Sequence, residues 1–211
     1  MIKIYYSDNH IVICEKPYGV SSQKSGGDNM VDMLTKQLEC EIFPVHRLDT
    51  TTTGLMVFAK NEASAAALSR QLTEHRLSKE YLSICHGRVD NSGRMTDFLY
   101  HDRIKNKSFV VENKRKGSKE AILDYELISY DEKRDLSCVK IALHTGRTHQ
   151  IRVQLASRKH PLYGDGKYGA KDKCKIALHS YKLTVYHPKS NEEMSFTSYP
   201  DEEIFKDFLQ K

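Results

Sequence analysis

Apolar and polar positions alternate in short blocks along this chain. Residues 2–6 and 11–15 are apolar and rich in β-formers, with Ser7-Asp8-Asn9 between them, which predicts a hairpin. Lys16-Pro17-Tyr18-Gly19 closes it with turn chemistry. Asp28 or Asn29 is placed to cap a helix carrying Met30, Met33, Leu34 and Leu38. Gly54 to Lys60 reads as a short buried strand, and Asn61 then caps an alanine-rich helix with Ala65, Leu68 and Leu72 on one face. Further strands are predicted at 81–89, 108–112, 121–129, 137–143, 182–187 and 194–198. Gly146 is read as a tight turn and Thr148 as the cap of a helix running to about Arg158, while Pro200-Asp201 opens a terminal helix carrying Ile204, Phe205, Phe208 and Leu209. Strands outnumber helices and many follow one another without a helical crossover. The expected fold is therefore α+β with a mixed, mostly antiparallel β-sheet flanked by helices.

Composition narrows the class. The chain has 211 residues, 39% hydrophobic and 29% charged, which suits a single domain over 1–211 by the rule of about 100–200 residues per domain. No apolar run approaches the roughly 18–20 residues of a spanning helix. The first residues, Met1 to Tyr6, lack the long apolar core of a signal peptide, so a cytoplasmic protein with no membrane partner is expected. The five cysteines (Cys14, Cys40, Cys85, Cys138 and Cys174) form no Cys-x-x-Cys pair and read as reduced thiols.

A net charge of +5 decides little, but its distribution says more. Arg103 to Lys119 holds seven basic residues, including Lys114, Arg115 and Lys116, against the single acid Glu112. Lys140 to Gly164 contains no acid at all. A solvated loop accounts for one such tract; two together favour a surface that binds nucleic acid phosphates.

The densest chemistry lies in His46-Arg47-Leu48-Asp49-Thr50-Thr51-Thr52-Thr53, which packs two bases, an acid and four hydroxyls into eight residues before Gly54. Its polar groups would be expensive to bury unpaired, so it is expected outside the core, either as a polar connector or as a site. A second segment, Thr145-Gly146-Arg147-Thr148-His149-Gln150-Ile151-Arg152, offers a guanidinium that could keep the Asp49 carboxylate ionised. His46 and His149 raise the thought of a metal pair, but no third ligand stands at metal spacing, and no metal is expected.

Taken in order, these segments resemble the RluA family of pseudouridine synthases. The resemblance rests on His46-Arg47-Leu48-Asp49 with Thr53-Gly54-Leu55, on Ile13 to Gly19 with Lys16-Pro17, on Lys79-Glu80-Tyr81, and on Gly146 to Arg152. His160-Pro161-Leu162, Gly164-Asp165 and Ala177-Leu178-His179-Ser180 complete it. It implies a cofactor-free isomerase that flips a uridine out of structured RNA and rejoins its uracil to the sugar through a ring carbon, with an active-site cleft across the sheet. By the same resemblance, Asp49 is the catalytic aspartate, as nucleophile or base, Tyr81 stacks on the target base, and Arg152 pairs with Asp49. Arg47 enters the RNA stack and Leu178 walls the base pocket. His46, Arg147, His149, Lys114, Arg115 and Lys116 are the further expected RNA contacts. Two positions depart from the family pattern: Thr53 replaces a usual serine and Gln154 a frequent histidine. The separate N-terminal RNA-binding domain of many relatives is expected to be absent. RNA is then the sole expected partner, bound by a monomer. The rival readings are a catalytically silent RNA-binding or RNA-folding factor and a His-Asp hydrolase.

Overall fold

The computed structural model describes residues 1–209. Its elements are β1 (Ile4–Ser7), β2 (Ile11–Lys16), α1 (Met30–Leu38), β3 (Phe43–Pro44), β4 (Thr53–Ala59), α2 (Glu62–Thr73), β5 (Ser78–His86), β6 (Ser92–Asp102), β7 (Lys107–Val111), β8 (Ser118–Asp131), β9 (Leu136–Leu143), α3 (Gln150–Ser157), β10 (Leu178–Tyr186), β11 (Glu193–Thr197) and α4 (Glu203–Leu209). Both predicted caps are present: Asn29 accepts from the Asp32 N–H and Asn61 from the Ser64 N–H. The chain divides into two compact units, Met1–Glu80 with His179–Pro200, and Tyr81–Leu178 with Asp201 onward.

In the first unit, β1 and β2 form the expected hairpin, and β2 pairs antiparallel with β4 from Ile11↔Ala59 to Lys16↔Gly54. β10 lies parallel to β4 at His179↔Thr53 and antiparallel to β11. Ile11, Ile13, Leu55, Val57, Leu68, Leu183 and Val185 share one core, with α2 supplying Leu68. Burying such side chains contributes about 1.5–3 kcal/mol each. Gly54 is required by this packing. Its φ is +108°, and a Cβ there would lie 2.3 Å from the Ser180 carbonyl oxygen of the adjoining strand.

The second unit is built on β8, which pairs antiparallel with both β6 and β9, and β7 extends the edge beyond β6. α3 packs Val153 onto Leu99 and Ala121 of this sheet. α4 is tied on by Arg134, whose guanidinium reaches Asp207 at 2.7 Å. The α+β class and the mostly antiparallel pairing hold, but three expectations need correction. Ser92–Asp102, left without an element in the sequence reading, is an eleven-residue strand. Gly146 has no left-handed backbone; the chain reverses instead at His149, with φ +55°. Thr148 is not the cap of α3 either. His149 holds that position without a side-chain bond, and Gln150 folds back to accept from the Arg147 N–H at 3.0 Å and the Thr145 hydroxyl at 2.8 Å. Arg152 thus lies in the first turn of the helix.

Candidate active site

The loop from His46 to Thr53 is held from beneath, and three of its eight residues are interior. His46, Leu48 and Thr52 are buried, while Arg47 between them is exposed and Asp49 is half-buried. The expectation of a loop outside the core is corrected: its main chain is bonded, which lets it enter the interior, although His46 Nδ1 and Thr51 Oγ1 are buried without a hydrogen-bond partner among the described residues. Leu48 donates its N–H to Ser22 Oγ at 2.9 Å, and that hydroxyl donates to the Leu48 carbonyl at 2.7 Å. Thr52 N–H closes the turn on the Asp49 carbonyl at 2.9 Å. The alternation aims Arg47 outward and leaves Asp49 partly accessible beside it.

His46 is turned inward. Its Nε2 accepts from the Val57 N–H at 3.1 Å, so the proton sits on Nδ1 and the ring is neutral. Burial, reinforced by the Lys79 cation, pushes it well below the usual histidine range. It works as a strut between loop and strand rather than as the RNA-facing group expected from its place in the motif. Thr53 keeps the hydroxyl that the family serine would carry and uses it: it donates to His179 Nδ1 at 2.7 Å, whose Nε2–H reaches the Ser198 carbonyl at 3.1 Å. Ser180 Oγ donates to the Leu55 carbonyl at 3.1 Å. The late segment of the sequence motif thus anchors the strand that follows the Asp49 loop.

The residue whose role sequence reasoning missed is Lys16. Its side chain is fully buried and Nζ donates to the carbonyls of Pro17 and Val20 at 2.8 and 2.9 Å and of Thr50 at 3.2 Å. Burial lowers its pKa to about 8, and the nearby Asp49 carboxylate opposes that fall. The unfolded lysine titrates near 10.5, so between about pH 8 and 10.5 the unfolded chain holds the extra proton and this group makes stability rise with pH. The pairing of Lys16 with Pro17 in the sequence is the available signal, but by itself it indicates only a turn and a family mark. Replacing Lys16 with Met leaves three carbonyls without their donor, at a cost of about 1–3 kcal/mol for a buried group left unpaired. A drop of roughly 5 °C in melting temperature is expected, with reduced turnover because the Asp49 loop loses its brace. Differential scanning calorimetry checks it, and an unchanged melting temperature would show that the amine contributes nothing.

In the second unit, Arg152 and Asp165 form a bidentate pair, Nε to Oδ2 at 2.6 Å and Nη2 to Oδ1 at 2.8 Å, with Asp165 fully buried. The Arg152 guanidinium also lies 5.2 Å from the Tyr168 ring centre. Tyr168 accepts the Ser108 N–H at 2.8 Å, which frees its hydroxyl hydrogen for His149 Nδ1 at 3.0 Å. His149 is buried, and burial, followed by the Arg152 and Lys167 charges, pushes it down to about 3. Like His46, it is turned inward as a neutral ring. Tyr81 on β5 and Leu178 at the start of β10 are buried. Gln154 is also buried and donates to Asp97 Oδ2 at 2.7 Å, so this departure from the family pattern tethers α3 to β6. Arg147 is half-exposed, and Lys114, Arg115 and Lys116 are exposed.

Residues 10–157 match the family described as RNA pseudouridylate synthase. The chain belongs to that family, whose members are isomerases that convert uridine to pseudouridine in RNA. It is 34% identical, over 90% of its length, to an RNA pseudouridine synthase of Bacillus subtilis, of which it spans 66%. It is 30% identical, over 96% of its length, to the tRNA pseudouridine synthase C of Haemophilus influenzae, of which it spans 95%. Among solved structures, human RNA Pseudouridylate Synthase Domain Containing 1 aligns with a TM-score of 0.81 at 22% identity, covering 95% of this chain and 84% of that one. This last likeness concerns the fold. The chain thus spans about two thirds of the first of these relatives and nearly all of the second.

Proposed function

We propose that this protein isomerises uridines in structured ribosomal or transfer RNA to pseudouridine, with Asp49, Tyr81 and Arg152 as its catalytic residues. The observation that carries the reading is the Asp49 loop. It lies within the matched family region, and buried His46, Leu48 and Lys16 brace it so that Asp49 is half-exposed beside an exposed arginine. In this scheme the target base leaves the stack at a cost of a few kcal/mol, and Arg47 occupies the vacated space. Asp49 then acts on the sugar as nucleophile or base. The C–N glycosidic bond breaks, the uracil turns, and a C–C bond forms at the ring carbon, which gives up its proton while the freed ring nitrogen regains one. Tyr81 holds the base by stacking, worth about 1–3 kcal/mol, and assists the proton transfer. Arg152 pairs with Asp49 and keeps it ionised, and Leu178 walls the base. No cofactor enters the scheme, and the protein acts as a cytoplasmic monomer without a protein partner. The test is to incubate wild type and Asp49→Ala with total RNA from a strain lacking the protein, then map pseudouridine by carbodiimide labelling. New sites made only by wild type are expected, and identical maps would overturn the reading.

The exposed tract Lys114, Arg115 and Lys116 is proposed to contact the RNA backbone. Charge reversal of all three is expected to weaken binding and to flatten the dependence of log Kd on log salt by about 2–3, at about 0.7–0.9 per phosphate contact. An unchanged slope would mark the tract as a solvated loop.

A further inference from the structure

A cleft of about 270 Å³ opens in the second unit, away from the Asp49 loop in sequence and lined from both basic tracts. His101, Arg103 and Ser108 come from the β6–β7 hairpin, Lys119 from the start of β8, and Gly146, Arg147 and Thr148 from the loop before α3. Among the described residues, no carboxylate lines it. The neighbouring Asp102 is turned into its own loop, where Oδ1 accepts the N–H groups of Ile104 and Lys105 at 2.9 and 3.0 Å.

The loop is fixed rather than loose. Arg147 donates Nε to the Glu120 carbonyl at 2.8 Å, which sets the plane of its guanidinium, and Ser108 Oγ donates to the Thr148 carbonyl at 2.6 Å. Three like charges around one concavity repel one another, a cost that an anion removes, and Thr148 adds a hydroxyl-bearing side chain beside them. The volume suits one phosphate with its sugar rather than a duplex.

We infer that this cleft is a backbone-phosphate site that anchors the RNA. The inference rests on RNA being the substrate, and binding and turnover test the two claims separately.

The experiment measures fluorescence anisotropy of a labelled, unmodified tRNA transcript with the full chain carrying Asp49→Asn, so that the RNA is not altered during titration. Arg147→Gln and Lys119→Gln are each expected to weaken binding about fivefold at low salt and to lower the salt slope by about 0.7–0.9. Gly146→Glu places a carboxylate at the cleft wall; a Cβ there meets nothing within 4 Å, so the fold tolerates it. It should weaken binding about tenfold through like-charge repulsion with an unchanged melting temperature. Lys36→Gln, on the exposed face of α1, should leave the slope unaltered. Wild-type Kd and slope in all three cleft variants, with unchanged melting, overturn the inference. So does wild-type RNA binding combined with loss of inorganic-phosphate binding by calorimetry, which would assign the cleft to a free anion. Pseudouridine formation by the protein with native Asp49 is read independently on a tritiated uridine transcript, so its absence would sink the enzymatic reading and leave the binding result standing.

Discussion

Replacing Asp49 with Ala is expected to lower pseudouridine formation by about 10³-fold or more, the upper part of the range for a positioned acid–base or nucleophilic group, while RNA binding stays within a few-fold of wild type. The fold should survive. The Asp49 carbonyl closes its turn with the Thr52 N–H at 2.9 Å, a backbone bond that alanine retains, and Leu48 remains stapled to Ser22 on both of its polar groups. The side effect falls on Lys16. The Asp49 carboxylate is the charge that opposes the burial of this amine, so its loss lets the lysine pKa fall further below about 8. A modest stability change between pH 7 and 8 is therefore expected beside a large catalytic one. Single-turnover assays on a tritiated transcript, with melting curves as a fold control, separate the two. Activity within tenfold of wild type would remove Asp49 from the chemistry.

The elements that the sequence predicts well are those with strong local chemistry. Asn29 and Asn61 cap their helices because side-chain caps act within three residues, and β2 and β4 declare themselves by unbroken apolar runs. β6 was illegible for the opposite reason. In Ser92–Asp102 only Met95 and Leu99 are buried, and the strand exists because β7 and β8 pair with its two edges. That support is tertiary, and no period-2 pattern announces it. The reversal before α3 was misplaced onto Gly146 because glycine is the usual bearer of a positive φ, whereas His149 takes that conformation here with its ring held by Tyr168.

The candidate site was legible as a set of residue types and less so as a set of orientations. In His46-Arg47-Leu48-Asp49 the four side chains go in, out, in and partly out. Sequence alone treats all three polar members alike, and only the bond from the Val57 N–H reveals His46 as structural. Lys16 shows the same limit, since nothing in a lysine announces that it will be fully buried among three carbonyls. Asp165 was visible only as part of a Gly-Asp pair, with no role attached, although the structure makes it the bidentate partner of Arg152.

Asp165→Asn is accordingly expected to be the most destabilising single change in the second unit. Asp165 is fully buried and Arg152 is only 5% exposed, so the amide would remove the charge from one side of a buried bidentate pair. Breaking such a pair costs about 3–5 kcal/mol, and at about 2–4 °C per kcal/mol for a chain of this size the melting temperature should fall by roughly 10 °C. Turnover should fall as well, because the two bonds at 2.6 and 2.8 Å fix the plane of the arginine proposed to pair with Asp49. Loss of stability and loss of chemistry can be told apart by the double variant Arg152→Met with Asp165→Leu. Removing both charges and filling the space with apolar groups is often neutral or stabilising where removing one is not, so the double variant should recover most of the melting temperature. It should remain inactive, because the guanidinium is gone. A double variant less stable than Asp165→Asn would show that the pair is a net source of stability, and recovered turnover in the double variant would remove Arg152 from the catalytic set.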